Sequence, residues 1–234
     1  MPCLLHIETS TAVCSVALSV KGEVFFEKAS FDGPSHAALL GVYVEEALAV
    51  LKREALRADA VAVSSGPGSY TGLRIGVSMA KGLCFGYGIP LVGVPTLEIL
   101  ASKAIRQTSL PEDSLYCAML DARRMEVYAA LFNRNRELVR ATMADVVTAD
   151  TYAPFLARHT VCFLGNGAAK CKGVIASPRA VFADGVHPLA TDMVPVAEEL
   201  FHSGKFEDTA YFEPFYLKEF MATTAKNKVF THNK

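Results

Sequence analysis

The sequence predicts an α/β protein of two duplicated lobes, each a mixed sheet flanked by helices, with the second lobe reduced. Three observations carry this. Residues 3–7, 13–20 and 24–29 are strand-like runs joined by the polar turn Glu8-Thr9-Ser10-Thr11 and the tight turn Lys21-Gly22-Glu23, and a long helix and another strand follow them. The same strand, polar turn, strand opening recurs at 115–121, Ala122-Arg123-Arg124 and 126–133. Finally, 234 residues that are 51% hydrophobic and 20% charged suffice for one large domain or two small lobes sharing cores.

The whole-chain numbers also exclude classes. A net charge of −1 lacks the basic footprint of a stand-alone nucleic-acid binder, so any RNA would owe most of its phosphate contacts to another protein. No apolar run reaches the roughly eighteen residues of a membrane span. Glu8 stands where a signal peptide needs its apolar centre, which predicts a cytoplasmic protein. The six cysteines form no Cys-x-x-Cys pair and read as small buried hydrophobes.

Pro34-Ser35-His36 opens a helical pattern through about Arg53 whose apolar residues cover more than one stripe. A surface helix needs only one such stripe, so this one is expected between the sheet and something else, either a partner chain or a thick internal core. Residues 60–63 form a buried-type strand, and 91–94 another. Thr96 is expected to cap the helix that starts after Pro95. The polar, proline-containing residues 107–114 mark the expected boundary between a lobe at 1–106 and a lobe at 107–217. In the second lobe a short helix follows Asp150-Thr151, the strand 161–164 leads into Gly165-Asn166-Gly167, and 194–203 is the last helix. Residues 218–234 turn polar and basic, as a loose tail does.

Between strand 60–63 and the apolar positions Leu73, Val77, Ala80 and Cys84 lies Ser64-Ser65-Gly66-Pro67-Gly68-Ser69-Tyr70-Thr71-Gly72-Leu73-Arg74-Ile75-Gly76. This is a strand-to-helix turn, with Ser69 or Thr71 as its cap. It is either an anion-receiving loop or a tight connector. It is not a Walker loop, because Gly72-Leu73-Arg74 lacks the lysine, and no Gly-x-Ser-x-Gly elbow surrounds Ser69. Ser78-Met79-Ala80-Lys81 fits Ser-x-x-Lys by chance, since neither companion motif is present.

The run from Gly66 to Gly76, followed by Gly88-Ile89-Pro90-Leu91-Val92-Gly93-Val94-Pro95-Thr96-Leu97-Glu98, closely resembles the TsaB (YeaZ) family. Ile7-Glu8-Thr9-Ser10-Thr11 and Leu120-Asp121-Ala122-Arg123-Arg124-Met125-Glu126-Val127-Tyr128 fit as well, and the likeness spans most of residues 3–130. The resemblance implies the actin, Hsp70 and sugar-kinase (ASKHA) fold and a part in making N6-threonylcarbamoyladenosine in tRNA. In that superfamily the first hairpin turn touches nucleotide phosphate. It offers Glu8, Thr9, Ser10 and Thr11 as candidates here, with Gly165 and Gly167 as a second approach, though a hairpin with satisfied hydroxyls explains the same residues.

The catalytic relative, TsaD, carries a His-x-x-x-His pair after Gly-Val-x. The matching positions here hold Thr96 and Leu100, and Glu98 is left without imidazoles beside it. His6, His36, His159, His187, His202 and His232 include no pair four apart. The resemblance therefore implies a non-catalytic subunit with no metal and no cofactor. Its expected partners are a TsaD-like catalytic subunit, a TsaE-like ATPase reached through the complex, and tRNA indirectly. A homodimer is expected when the chain is alone. In the family, helices of this region mediate pairing, and the expected interface residues are His36, Leu39, Leu40, Tyr43, Ala47, Gly72, Arg74, Ile75, Gly76, Met79 and Ala80. The alternative is a stand-alone enzyme of the superfamily, a nucleotide-dependent phosphotransferase or a metallopeptidase.

Overall fold

Alternating inward residues on each strand give two five-stranded sheets with the same connectivity. In the first, β3-β2-β1-β4-β5, the strands are β1 (Cys3–Glu8), β2 (Cys14–Val20), β3 (Glu23–Ser30), β4 (Ala60–Gly66) and β5 (Leu91–Pro95). In the second they are β6 (Leu115–Asp121), β7 (Glu126–Phe132), β8 (Leu138–Val146), β9 (Val161–Leu164) and β10 (Ala180–Ala183), ordered β8-β7-β6-β9-β10. Each begins with an antiparallel meander and adds two parallel strands beside its first. This is the duplicated arrangement of two mixed sheets that the sequence predicts. The computed structural model describes residues 2–33 and 35–217, and the expected tail at 218–234 lies outside them.

The layers follow from which strand positions are apolar. One face of the first sheet (Leu5, Ile7, Val16, Leu18, Val61, Val63) packs on α1 (His36–Arg53) and α2 (Tyr70–Tyr87). The opposite face (Leu4, Ala60, Ala62, Val92, Val94) packs on Ile99 of α3 (Thr96–Gln107) and on Val196 and Ala197 of α5 (Val194–His202). The rest of α3, through Leu97, Leu100, Ala101 and Ala104, closes one face of the second sheet against Tyr116, Ala118 and Leu120. Its far face takes Tyr152, Leu156 and Cys171 around the short α4 (Ala153–Leu156). The order is therefore helices, sheet, helices, sheet, helix.

Reduction of the second lobe falls on its helices. The 18-residue α1 is matched by the four-residue α4, and the 18-residue α2 by a three-residue 3-10 turn at Ala169–Cys171. After α5 the chain returns to the first lobe as a strap. Glu207 N–H donates to Leu91 O (2.9 Å), Lys81 Nζ to Ala210 O (3.1 Å) and Phe212 O (3.0 Å), and Phe215 N–H to Ser65 O (2.7 Å). A further contact to the first lobe is buried: Lys103 Nζ meets Asp192 Oδ2 (2.9 Å) and His187 O (3.0 Å), and Arg106 Nη2 meets Asp192 Oδ1 (3.1 Å). Two cap expectations separate here. Ser69 caps α2, its Oγ accepting from Gly72 N–H (3.3 Å). Thr96 does not cap α3: it is the first helical residue, and its buried hydroxyl has no partner.

Candidate functional site

The two long helices each carry two apolar faces, and the structure assigns both. On α1, His36, Leu40, Val44, Ala47 and Leu51 recur at helical spacing and point inward. On α2 the inward set is Gly72, Leu73, Gly76, Val77, Ala80 and Cys84. Gly72 and Gly76 let α2 lie directly on the first hairpin turn: a Cβ at either would collide with Thr9, at its carbonyl oxygen or its Oγ1. Thr9 Oγ1 donates to Gly72 O (2.8 Å). The outward residues form a groove between the helices of about 640 Å³, lined by Ala37, Arg74, Ile75, Ser78, Met79, Gly82 and Leu83. Elsewhere on these two helices Val42 and Phe85 are exposed, 48% and 89%.

The eleven expected interface residues thus divide. Leu39, Tyr43, Arg74, Ile75 and Met79 lie at or near the outer surface. His36, Leu40, Ala47, Gly72, Gly76 and Ala80 are interior, and Gly72 and Gly76 of α2 lie against Thr9 of the same chain. Ser78, Gly82 and Leu83 were missed. The signal was present, since Ile75, Met79 and Leu83 continue one apolar row at spacing four.

The hairpin turn from Glu8 to Thr11 is interior as well. Ser10 N–H donates to Glu8 Oε1 (2.6 Å), Ser69 N–H to Ser10 O (2.6 Å) and His36 Nε2 to Thr11 O (2.7 Å). Gly68 is packed so closely on Ser10 that a Cβ would collide with its carbonyl oxygen. The glycine-rich loop and α1 therefore close over this turn, and Glu8, Thr9, Ser10 and Thr11 are bonded and packed within the chain. Two oxygens stay unpaired there, Glu8 Oε2 and Ser10 Oγ.

Burial pushes the Glu8 carboxyl up to about 7, with Ser10 and Ser64 pulling the other way and the Asp192 carboxylate adding to the rise. Its folded pKa exceeds its unfolded one, so the folded state keeps the proton longer. Stability then falls as pH rises from about 4.5 to about 7, by on the order of 3 kcal/mol. Glu8→Gln is expected to raise the urea midpoint at pH 8 and leave it unchanged at pH 4. An equal effect at both pH values would show that the carboxyl does not titrate in this range.

In the second lobe, Gly165 and Gly167 serve close packing. A Cβ at Gly165 would strike Met119 O, and one at Gly167 would lie 2.9 Å from the Leu120 carbonyl carbon. Both glycines face strand β6. Leu100 is fully buried in the core against the second sheet. Burial raises the pKa of Glu98, and Arg136, 3.7 Å away, opposes that rise while also pairing with Glu199. Among the described residues no group of three or more His, Cys, Asp or Glu side chains could hold a metal ion.

Comparison with known proteins agrees with this architecture. A family model described as "TsaD: tRNA N6-adenosine threonylcarbamoyltransferase" matches residues 31–176. The tRNA threonylcarbamoyladenosine biosynthesis protein TsaB of Escherichia coli (strain K12) is 30% identical over 229 residues, covering 94% of this chain and 96% of that protein. The chain belongs to the TsaB family. TsaB of Bacillus subtilis (strain 168) is 30% identical over 175 residues, 74% of each chain. The solved structure of YeaZ from Pseudomonas aeruginosa aligns with a TM-score of 0.76 at 28% identity, covering 93% of this chain and 100% of that one. The TsaB likeness therefore extends over the second lobe, where the quoted motifs thin out. No helix among the described residues is long and apolar enough to cross a membrane.

Proposed function

We propose that this chain acts in tRNA N6-threonylcarbamoyladenosine biosynthesis as a non-catalytic subunit that pairs with a TsaD-like catalytic subunit and holds it in an active shape. The observation that carries this reading is the apolar groove between α1 and α2, kept in a fold whose second lobe has lost the corresponding helices. The TsaD family model matches residues 31–176, which include α1 and α2, and this supports a related chain as the partner of the groove. In this reading residues 1–106 form the partner-binding lobe, through Leu39, Tyr43, Arg74, Ile75 and Met79, and residues 107–217 support it. A homodimer uses the same face when the partner is absent. A TsaE-like ATPase and the tRNA join through the complex.

Gly82→Arg separates pairing from folding. A Cβ at Gly82 meets nothing within 4 Å, and arginine is the better helix former by roughly 0.5–1 kcal/mol, so the melting temperature should hold or rise. The side chain fills the groove, and overpacking of about 1–3 kcal/mol means a loss of affinity for the catalytic subunit of about five-fold to about a hundred-fold. Isothermal titration with that subunit gives the answer. Unchanged affinity for the stable variant would remove the groove from the interface.

A further inference from the structure

The turn Ala122-Arg123-Arg124-Met125 occupies, in the second lobe, the position that Glu8–Thr11 holds in the first, at the end of the sheet's first strand. The first turn is sealed, whereas Arg123 and Arg124 are exposed. Both adopt left-handed backbone angles, φ 69° and 48°. Glycine takes that conformation without the Cβ penalty and asparagine offsets it by local hydrogen bonding, whereas arginine does neither. The strained backbone is held from below. Lys170 Nζ donates to Arg124 O (2.7 Å), Glu126 O (2.6 Å) and Asp121 Oδ1, and Asp121 Oδ1 also accepts from Arg123 N–H (3.0 Å).

Asp121 is engaged by Lys170 and Asp184 by Lys172, and Glu126, two residues beyond Arg124, has an interaction of its own. Neither Arg123 nor Arg124 has an ion pair among the described residues. A tight turn thus presents two adjacent guanidiniums at the C-terminal end of a sheet whose parallel strands β6, β9 and β10 all end on that side. Ligands of open α/β sheets gather at that end. Strain retained at two arginines, where glycine would relieve it, points to a function of the side chains.

We infer that Arg123 and Arg124 contact RNA phosphates directly, as a two-point anchor for the polynucleotide that the complex modifies. This rests on the reading under Proposed function. The guanidinium fork matches phosphate geometry, and a repeating phosphate backbone suits two adjacent forks better than a single anion does. Recognition is of charge and spacing, with no base read.

The test uses the full chain with its TsaD-like subunit and tRNA, titrated from about 50 to about 200 mM salt. R123G/R124G keeps the turn and removes its strain, so folding and pairing without RNA should be unchanged. The affinity for tRNA at the lowest salt should fall about ten-fold. The slope of log K against log salt should lessen by about two, roughly 0.9 for each lost phosphate contact. R123K/R124K should restore most of that slope. An unchanged slope in the glycine variant overturns the inference, and so does competition by millimolar inorganic phosphate as effective as by tRNA, which marks a small-anion site. Loss of pairing without a change in slope would assign the arginines to an acidic protein surface instead. If the unmodified chain fails to pair at all, the subunit reading falls, and the same titration on the chain alone still decides the arginine pair.

Discussion

Asp192→Ala should cost about 3–5 kcal/mol of folding stability, the range for breaking a buried ion pair from one side. Asp192 accepts from Lys103 and Arg106, and the Lys103 and Asp192 side chains are only 11% and 10% exposed. Removal leaves the Lys103 ammonium inside the protein with His187 O as its remaining partner. Arg106 is less affected, since its side chain is 43% exposed and can turn to water. The double variant Lys103→Met with Asp192→Leu removes both charges and should recover most of the loss, because apolar replacements of a buried pair are often neutral. Urea unfolding of the three proteins measures this directly. A single variant within about 1 kcal/mol of the parent would mean that the pair is solvated.

Leu40→Asp and Gly76→Leu should likewise act on folding. Leu40 is 1% exposed in the core beneath α1, and a carboxylate there has no counter-charge. Gly76 has no room for a side chain against Thr9. Losses of 4 kcal/mol or more are diagnostic of such sites, and typical domains have about 5–15 kcal/mol in total. Both variants should melt far below the parent by circular dichroism, with pairing lost because the fold is lost. Sequence reasoning expects the opposite, weakened pairing with intact folding, because it places these faces outward. Parent-like melting of both would restore that expectation.

The reversal shows what one-dimensional patterns carry. Strands β1, β2, β4, β6, β7 and β9 are legible because both of their faces are buried, leaving continuous apolar runs bounded by polar or glycine turns. Strand β8 is not: it is a sheet edge with five of its nine residues exposed, three half-buried and one, Asp145, buried, so no apolar run marks it. Strand β10 has four residues, all half-buried. Two apolar stripes on α1 and α2 are legible, but which stripe faces the sheet depends on distant contacts. Thr9 is 63 residues from Gly72 in sequence, and their hydrogen bond and close packing are contacts of that range. The family likeness was carried by the glycine-rich run, whereas the sealing of the first hairpin turn by that same run required the fold.

The return of the chain to its first lobe also sets a schedule for biosynthesis. The inner face of the first sheet, Leu4, Ala60, Ala62, Val92 and Val94, is complete once β5 has been made, yet Met193, Val196 and Ala197, which cover it, come about a hundred residues later. At roughly 5–20 residues per second this leaves an apolar surface waiting for some 5–20 s on a nascent chain. Helix α3 shields only part of it, through Ile99. Slower translation across residues 108–197 lengthens that exposure, and chaperone capture during it covers the surface until α5 is made.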